Sequence, residues 1–303
     1  MPDFERVLGR VRGDAPGPTL ILTTMIHGNE TAGATAALRV IERLAAERVA
    51  VRGELVVLGG NLAAMRLGRR FQVKDLNRQW TAAKVAALRA HDPALDDAED
   101  AEQRALLVEL DRAFADARGP VFALDFHTTS AAGYAFGIYD SEAQDAFARR
   151  FPLPMVRGLA TALAGVLSSY LVERGATAIA VEGGQHDDPL TIDHLEATLE
   201  VALDACGVAT VSDVAAARAH LDAARGDIPR VMDVVARYAI HPGDQFVMAP
   251  GFANLAHVRK GQLLAKDGRR VIRAPAHGLV ILPLYQGQGD DGFFFGVTPH
   301  PHK

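Results

Sequence analysis

"ILTTMIHGNE", Ile21 to Glu30, decides how the rest of the chain is read. An apolar, β-branched run ends abruptly in a histidine, a glycine, an asparagine and a glutamate. A strand suited to a core therefore delivers two metal-ligand types, three residues apart, at its tip. Extended back to Thr19, the run reads as a buried strand over 19–26, and "ETAGATAALRVIERLAAE" (30–47) as the helix after it. "GELVVLGG" (53–60), "VFALDFH" (121–127) and "TAIAVEGG" (177–184) repeat the strand pattern, while "SEAQDAFARRF" and "LTIDHLEATLEVALDACG" read as helices. Apolar strands separated by helices predict an α/β fold, a mostly parallel sheet covered on both faces.

After residue 226 the texture changes. "RVMDVVARYAI", "DQFVMA", "QLLAKDGRRVIRAP" and "GLVILPLY" are short strand-like runs punctuated by Pro-Gly, Asp-Gly and His-Gly turns. We expect two units: an α/β domain over 1–226 and a smaller all-β domain over 227–303.

Composition narrows the function classes. A net charge of −5 over 303 residues gives no basic stripe, which argues against a nucleic-acid or membrane-surface binder. With Cys206 as its one cysteine, the chain has no internal disulfide and no Cys-x-x-Cys zinc site, so any metal falls to His, Asp or Glu. No apolar run approaches the ~20 residues that span a bilayer. "MPDFERVLGRVRGD" lacks the apolar region of a secretory signal, and the expected location is the cytoplasm. The acidic stretch "HDPALDDAEDAEQR" (91–104) reads as a solvated loop and helix start.

The predicted strand ends carry His27 and Glu30, then His127, then Glu182. Ligands of open α/β sheets bind beyond the carboxyl ends of strands, so these four can share one crevice. Two imidazoles, a ligating carboxylate and a second carboxylate as base fit a catalytic zinc site with a position left for water. Gly28 would let the chain turn sharply between two ligands. Each residue also has a plainer reading: His27 as a turn histidine, Glu30 as an acid favoured at a helix start, His127 as the partner of Asp125, and Glu182 as a turn residue. In "RLGRRFQVKDLNRQW" (66–80), Arg66, Arg69, Arg70 and Arg78 cluster beside Asn77. A solvated basic loop or an anion-recognition loop would look alike here, since the guanidinium fork matches a carboxylate.

"HGNE", "RF…KDLNR", "DFHTT" and "VEGG", in that order, resemble the motifs of the succinylglutamate desuccinylase/aspartoacylase family, a branch of the zinc-carboxypeptidase-like amidohydrolases. A looser echo continues in "HPGDQF" (241–246) and "LPLYQGQGDDGFF" (282–294). The resemblance implies a zinc-carboxypeptidase-like fold with a C-terminal β domain bordering the pocket. It implies one zinc per chain, held by His27, Glu30 and His127, with Glu182 as general base. Arg70 would polarise the scissile carbonyl, and Asn77 and Arg78 would grip the carboxylate of the amino-acid half. Tyr285 and, more loosely, Arg174 would join the substrate pocket. The implied reaction is hydrolysis of a small N-acylated amino acid or related amine. "VEGGQHDDP" and Phe71 depart from the aspartoacylase pattern and leave the acyl group and amine half open. A peptide-cleaving metallocarboxypeptidase and a non-catalytic zinc-binding module are the competing readings. The expected partner is a small molecule, with no nucleic acid and no membrane, and a homo-oligomer is compatible with the sequence.

Overall fold

In the computed structural model, which describes residues 4–299, edge strand β1 (Val7–Arg12) leads into β2 (Thr19–Thr24), helix α1 (Ala32–Ala46), β3 (Glu54–Gly59) and the short α2 (Leu62–Arg66). A loop with one 3-10 turn at Leu76–Arg78 precedes α3 (Ala82–Ala90) and α4 (Ala98–Ala115). Then come β4 (Val121–Thr129), β5 (Phe136–Tyr139), α5 (Glu142–Ala148), β6 (Met155–Arg157), α6 (Leu159–Ala162) and α7 (Leu167–Glu173). β7 (Thr177–Gln185), α8 (Pro189–Cys206) and α9 (Val214–Arg225) follow. The rest is strand: β8 (Val231–Ala239), β9 (Phe246–Met248), β10 (Ala256–Val258), β11 (Leu263–Asp267), β12 (Arg270–Arg273), β13 (Gly278–Ile281) and β14 (Asp291–Val297).

β3, β2, β4 and β7 are parallel neighbours, as are β5, β6 and β8. Period-2 alternation explains why these strands are apolar throughout. Leu20, Leu22, Leu124, Ile179 and Val181 face α1 and α8, whereas Ile21, Val56, Ala123 and Ala178 face α4 and α7. Both faces are covered, as the run pattern predicts. β1 escaped the sequence reading because "VLGRVR" is a half-exposed edge strand, paired only with β3.

The C-terminal strands are antiparallel, as their turns predict, but they do not form a sheet apart. β8 lies parallel to β6, and β14, β13 and β10 continue outward from it, so one eleven-stranded sheet runs through both parts of the chain. Only β9, β11 and β12 form a separate three-stranded sheet. Among the described residues no helix is long and apolar enough to cross a membrane.

β2 stops at Thr24, two residues before the predicted end. Met25 adopts φ 57°, a left-handed conformation that costs a non-glycine residue energy and breaks the strand. Tertiary contacts hold it there: Gly60 N–H donates to Thr24 O at 2.7 Å and Asn61 N–H to Met25 O at 2.6 Å. Gly28 proves necessary for a different reason from the one expected. Its φ is not positive; instead, a Cβ would lie 2.3 Å from Met65 N, so the close approach of α2 demands glycine.

Candidate metal centre

The order β2, β4, β7 across the sheet sets three strand ends side by side. His127 on β4 is in register with Glu182 on β7, and His27 and Glu30 follow β2. Glu30 N–H donates to His27 O at 3.0 Å, which closes the turn between the two. All four side chains are buried.

His27 Nδ1 is 2.9 Å from Glu30 Oε1, and His127 Nδ1 is 3.0 Å from Glu30 Oε2. The outer nitrogens meet acids as well: His27 Nε2 lies 3.1 Å from Asp75 Oδ1, and His127 Nε2 lies 3.1 Å from Asp125 Oδ2. Asp125 reaches His127 because residues two apart share a strand face, and Thr23 Oγ1 donates to Asp125 Oδ1 at 2.7 Å. A carboxylate on the outer nitrogen fixes the tautomer that leaves Nδ1 free to ligate. One ligand atom each from His27, Glu30 and His127 lie within 4.8 Å of one another, so this group can hold a metal ion. Two imidazoles and a carboxylate, with the outer nitrogens braced by acids, fit a divalent ion of the zinc type.

The electrostatics follow from burial and pairing. Burial alone would raise the Glu30 carboxyl, but the charge of His27 and the bonds from both imidazoles hold it well below the usual range. Burial of His127 works against its proton, and Asp125 and Glu30 outweigh it, so that its pKa stands well above the ordinary value. Glu182 differs. Burial, with Glu30 adding to it against the opposing charges of His127 and Arg70, pushes its carboxyl up to about 8. Its Oε2 has no hydrogen-bond partner. A dication beside it would pull that value down.

Arg70 lines the same cleft, with Nη1 3.3 Å from Glu30 Oε1 and Nη2 3.2 Å from Asp75 Oδ2. Asn77 also lines it, while its Oδ1 accepts the Leu167 N–H at 2.8 Å. Arg78 Nη2 donates to Asp291 Oδ2 at 2.8 Å, so a carboxylate of the chain's own already occupies the expected grip. Asp291, Gln286 and Leu284 border the cleft without having been singled out. The signal available was the loose "LPLYQGQGDDGFF" echo.

Two expected pocket residues stand elsewhere. Arg174 binds Asp111 at 2.7 Å and covers the Phe114 ring at 4.2 Å. It precedes the amino end of β7, whereas Glu182 is five residues into that strand, about 17 Å along it. The Tyr285 hydroxyl donates to Ala249 O at 2.7 Å and accepts from Phe252 N–H, so it fastens the loop before β10 instead of facing the cleft. His186 bonds Thr128 Oγ1 at 2.6 Å and Gln286 Oε1 at 3.2 Å, bracing the cleft's rim.

The acidic stretch 91–104 is corrected most sharply. Glu99 is fully buried and gathers the 66–80 loop from beneath. Its Oε1 accepts Asn61 Nδ2 at 3.0 Å and Gln72 N–H at 2.8 Å; its Oε2 accepts Val73 N–H at 2.9 Å and Lys74 N–H at 3.2 Å. Glu102 takes the N–H groups of Leu62 and Ala63 at the start of α2. The loop's backbone is therefore pinned at residues 72–74, while Arg66 and Arg69 stay exposed.

Comparison with known proteins bears on the family and the fold. The succinylglutamate desuccinylase/aspartoacylase catalytic domain matches residues 16–206. A succinylglutamate desuccinylase of Chromobacterium violaceum is 33% identical over 119 residues, which cover 39% of this chain and 34% of that protein. One from Photorhabdus laumondii is 34% identical over 76 residues, covering 25% and 23% respectively. The aligned stretches thus span only about a third and a quarter of these two curated relatives. Similar solved folds include the C. violaceum desuccinylase, with TM-score 0.67, 21% identity, and coverage of 97% of this chain and 89% of that one. The product-bound ectoine utilization protein EutE (DoeB) of Ruegeria pomeroyi has TM-score 0.67, 22% identity, and coverage of 95% and 88%.

Proposed function

We propose that this chain, which belongs to the succinylglutamate desuccinylase/aspartoacylase family, is a zinc-dependent hydrolase of the amide bond in a small N-acylated amino acid or related amine. The observation that carries the reading is the convergence of His27, Glu30 and His127 in one cleft with the unpartnered carboxylate of Glu182. A small substrate is favoured over a peptide because Leu282, Leu284, Gln286 and Phe294, from the C-terminal part, line the same cleft. That contribution also supports 227–303 as the unit that closes a catalytic unit of 1–226.

When bound, zinc supplies a Lewis acid that polarises the carbonyl and acidifies a water. As general base, Glu182 would take a proton from the attacking water and pass it to the departing amine nitrogen. Arg70 stands across the cleft as a fixed positive charge for the developing oxyanion, a contribution typically worth ~3–4 kcal/mol. Arg78 and Asn77 orient the amino-acid half, with Asp291 exchanging partners from Arg78 towards Arg237, which it already contacts at 2.5 Å.

Elemental analysis and a panel of N-acyl amino acids test the proposal together. One zinc per wild-type chain, its loss in His27→Ala, and turnover of at least one panel member are expected. Zinc retained at full stoichiometry in His27→Ala, or no turnover by zinc-loaded wild type, would refute it.

A further inference from the structure

Beyond Glu182 the cleft changes character. Ala180 shares a strand face with Glu182 and lies in register with Ile138 of β5. Ile138, Ala180, Leu159 and Phe294 pack into one buried cluster with Leu163 against it, and all five line the cleft. This apolar wall adjoins the carboxylate grip. Ala162 O accepts Arg237 Nη1 at 2.9 Å, Gly165 O accepts Trp80 N–H at 3.0 Å, and Leu167 N–H donates to Asn77. The segment carrying Leu163 is thereby laid directly on Asn77 and Arg78.

The cations of the cleft are already committed. Among the described residues lining it, the guanidinium groups are those of Arg70 and Arg78. Arg70 is paired with Glu30 and Asp75, and Arg78 with Asp291. A substrate carboxylate can share Arg78 with Asp291, but a second one would meet the apolar wall with no guanidinium among the described lining residues left to pair it. Burying an unpaired carboxylate is costly.

We infer that the amino-acid half of the substrate bears an uncharged, apolar side chain, aliphatic or aromatic, lodged against Ile138, Ala180, Leu163 and Phe294. An N-acylated leucine or phenylalanine fits this description, and an N-acylated glutamate or aspartate does not. Ala180 leaves the space that such a side chain fills. The assignment rests on the N-acyl amino acid reading above, and its test separates the two.

Zinc-loaded Glu182→Gln is titrated calorimetrically with N-acetyl-leucine, N-acetyl-phenylalanine, N-acetyl-glutamate and N-succinylglutamate, and wild type is assayed for hydrolysis of the same four. The apolar derivatives should bind at least about tenfold more tightly and show kcat/KM at least about 100-fold higher. Leu163→Arg, with its melting temperature checked, should narrow that preference at least about tenfold by supplying the missing cation. If the variant fails to fold, the wild-type panel decides alone. Equal or better binding of the acidic derivatives overturns the inference while sparing the hydrolase. Apolar derivatives bound but not hydrolysed support the pocket and sink the hydrolase. No binding and no hydrolysis of any of the four sinks both.

Discussion

Replacing Glu99 by alanine isolates what holds the substrate-facing loop. The carboxylate accepts four hydrogen bonds, three from consecutive backbone amides and one from Asn61. A water entering the vacated space offers two lone pairs, so at least two of the four donors lose their acceptor. Each buried unsatisfied donor costs about 1–3 kcal/mol, which gives a loss of about 2–6 kcal/mol. That is a large share of the ~5–15 kcal/mol that holds a typical domain together. The loop has an escape, because it can peel into solvent and satisfy its amides there. The loss then divides between a lower denaturation midpoint and faster hydrogen exchange at residues 72–74.

The same loop carries Arg70, Asn77 and Arg78, and misplacement by about 1 Å can cost about 100-fold in rate. Activity should therefore fall along with stability. Zinc should remain, since its three ligands lie outside the loop, with affinity reduced about 10–100-fold through the loosened Asp75 behind His27. Glu99→Gln keeps one carbonyl oxygen and should land between wild type and alanine. A loss below about 1 kcal/mol in Glu99→Ala, with exchange and kcat/KM unchanged, would refute the claim that this carboxylate organises the site.

Glu182→Gln should keep one zinc per chain while kcat drops about 100–10,000-fold, the usual worth of a general acid–base group; kcat near wild type removes Glu182 from the chemistry. Asp125→Asn should weaken zinc binding about 10–100-fold in a chelator competition, because it loosens His127, and unchanged affinity would show that the Asp125–His127 contact is idle. Cys206 is buried, and burial pushes its thiol up to about 12 from an unfolded value near 9. Its neutral form thus contributes stability that is intact below pH 9 and lost as pH climbs through 12. At pH 8 a thiol reagent should label it only as fast as the chain unfolds, so prompt labelling of folded protein would contradict its packing.

Much of the fold could be read in advance because the central strands obey a simple physical rule. A strand buried on both faces has no polar alternation, and Thr19–Thr24, Glu54–Gly59 and Thr177–Gln185 announce themselves by that lack. The candidate site was legible for a related reason: His27, His127 and Glu182 interrupt apolar runs, and a polar group buried at a strand tip needs a partner or a purpose. β1 was missed because a half-exposed edge strand tolerates arginine and glycine. Arg174 misled because eight residues along a sequence look near, while along a strand the same distance runs from one edge of the sheet to the other.

Glu99 was hidden for a deeper reason. In "DDAEDAEQR" it is one acid among several, and neighbouring Asp97 and Asp100 do form partly exposed pairs with Lys74. What distinguishes it is its direction from the first turn of α4 towards a loop some twenty-five residues earlier whose amides at 72–74 have no strand or helix to satisfy them. An irregular loop can be held rigid only if something accepts its hydrogen bonds. A buried carboxylate on a regular helix does so with four bonds at once, in a chain that must keep Arg70, Asp75, Asn77 and Arg78 in fixed relation to the centre formed by His27, Glu30 and His127. The need for such an acceptor follows from the backbone amides of residues 72–74, which no strand or helix pairs. Its identity does not, because composition ranks every acid in that stretch alike and only the direction of the helix separates them.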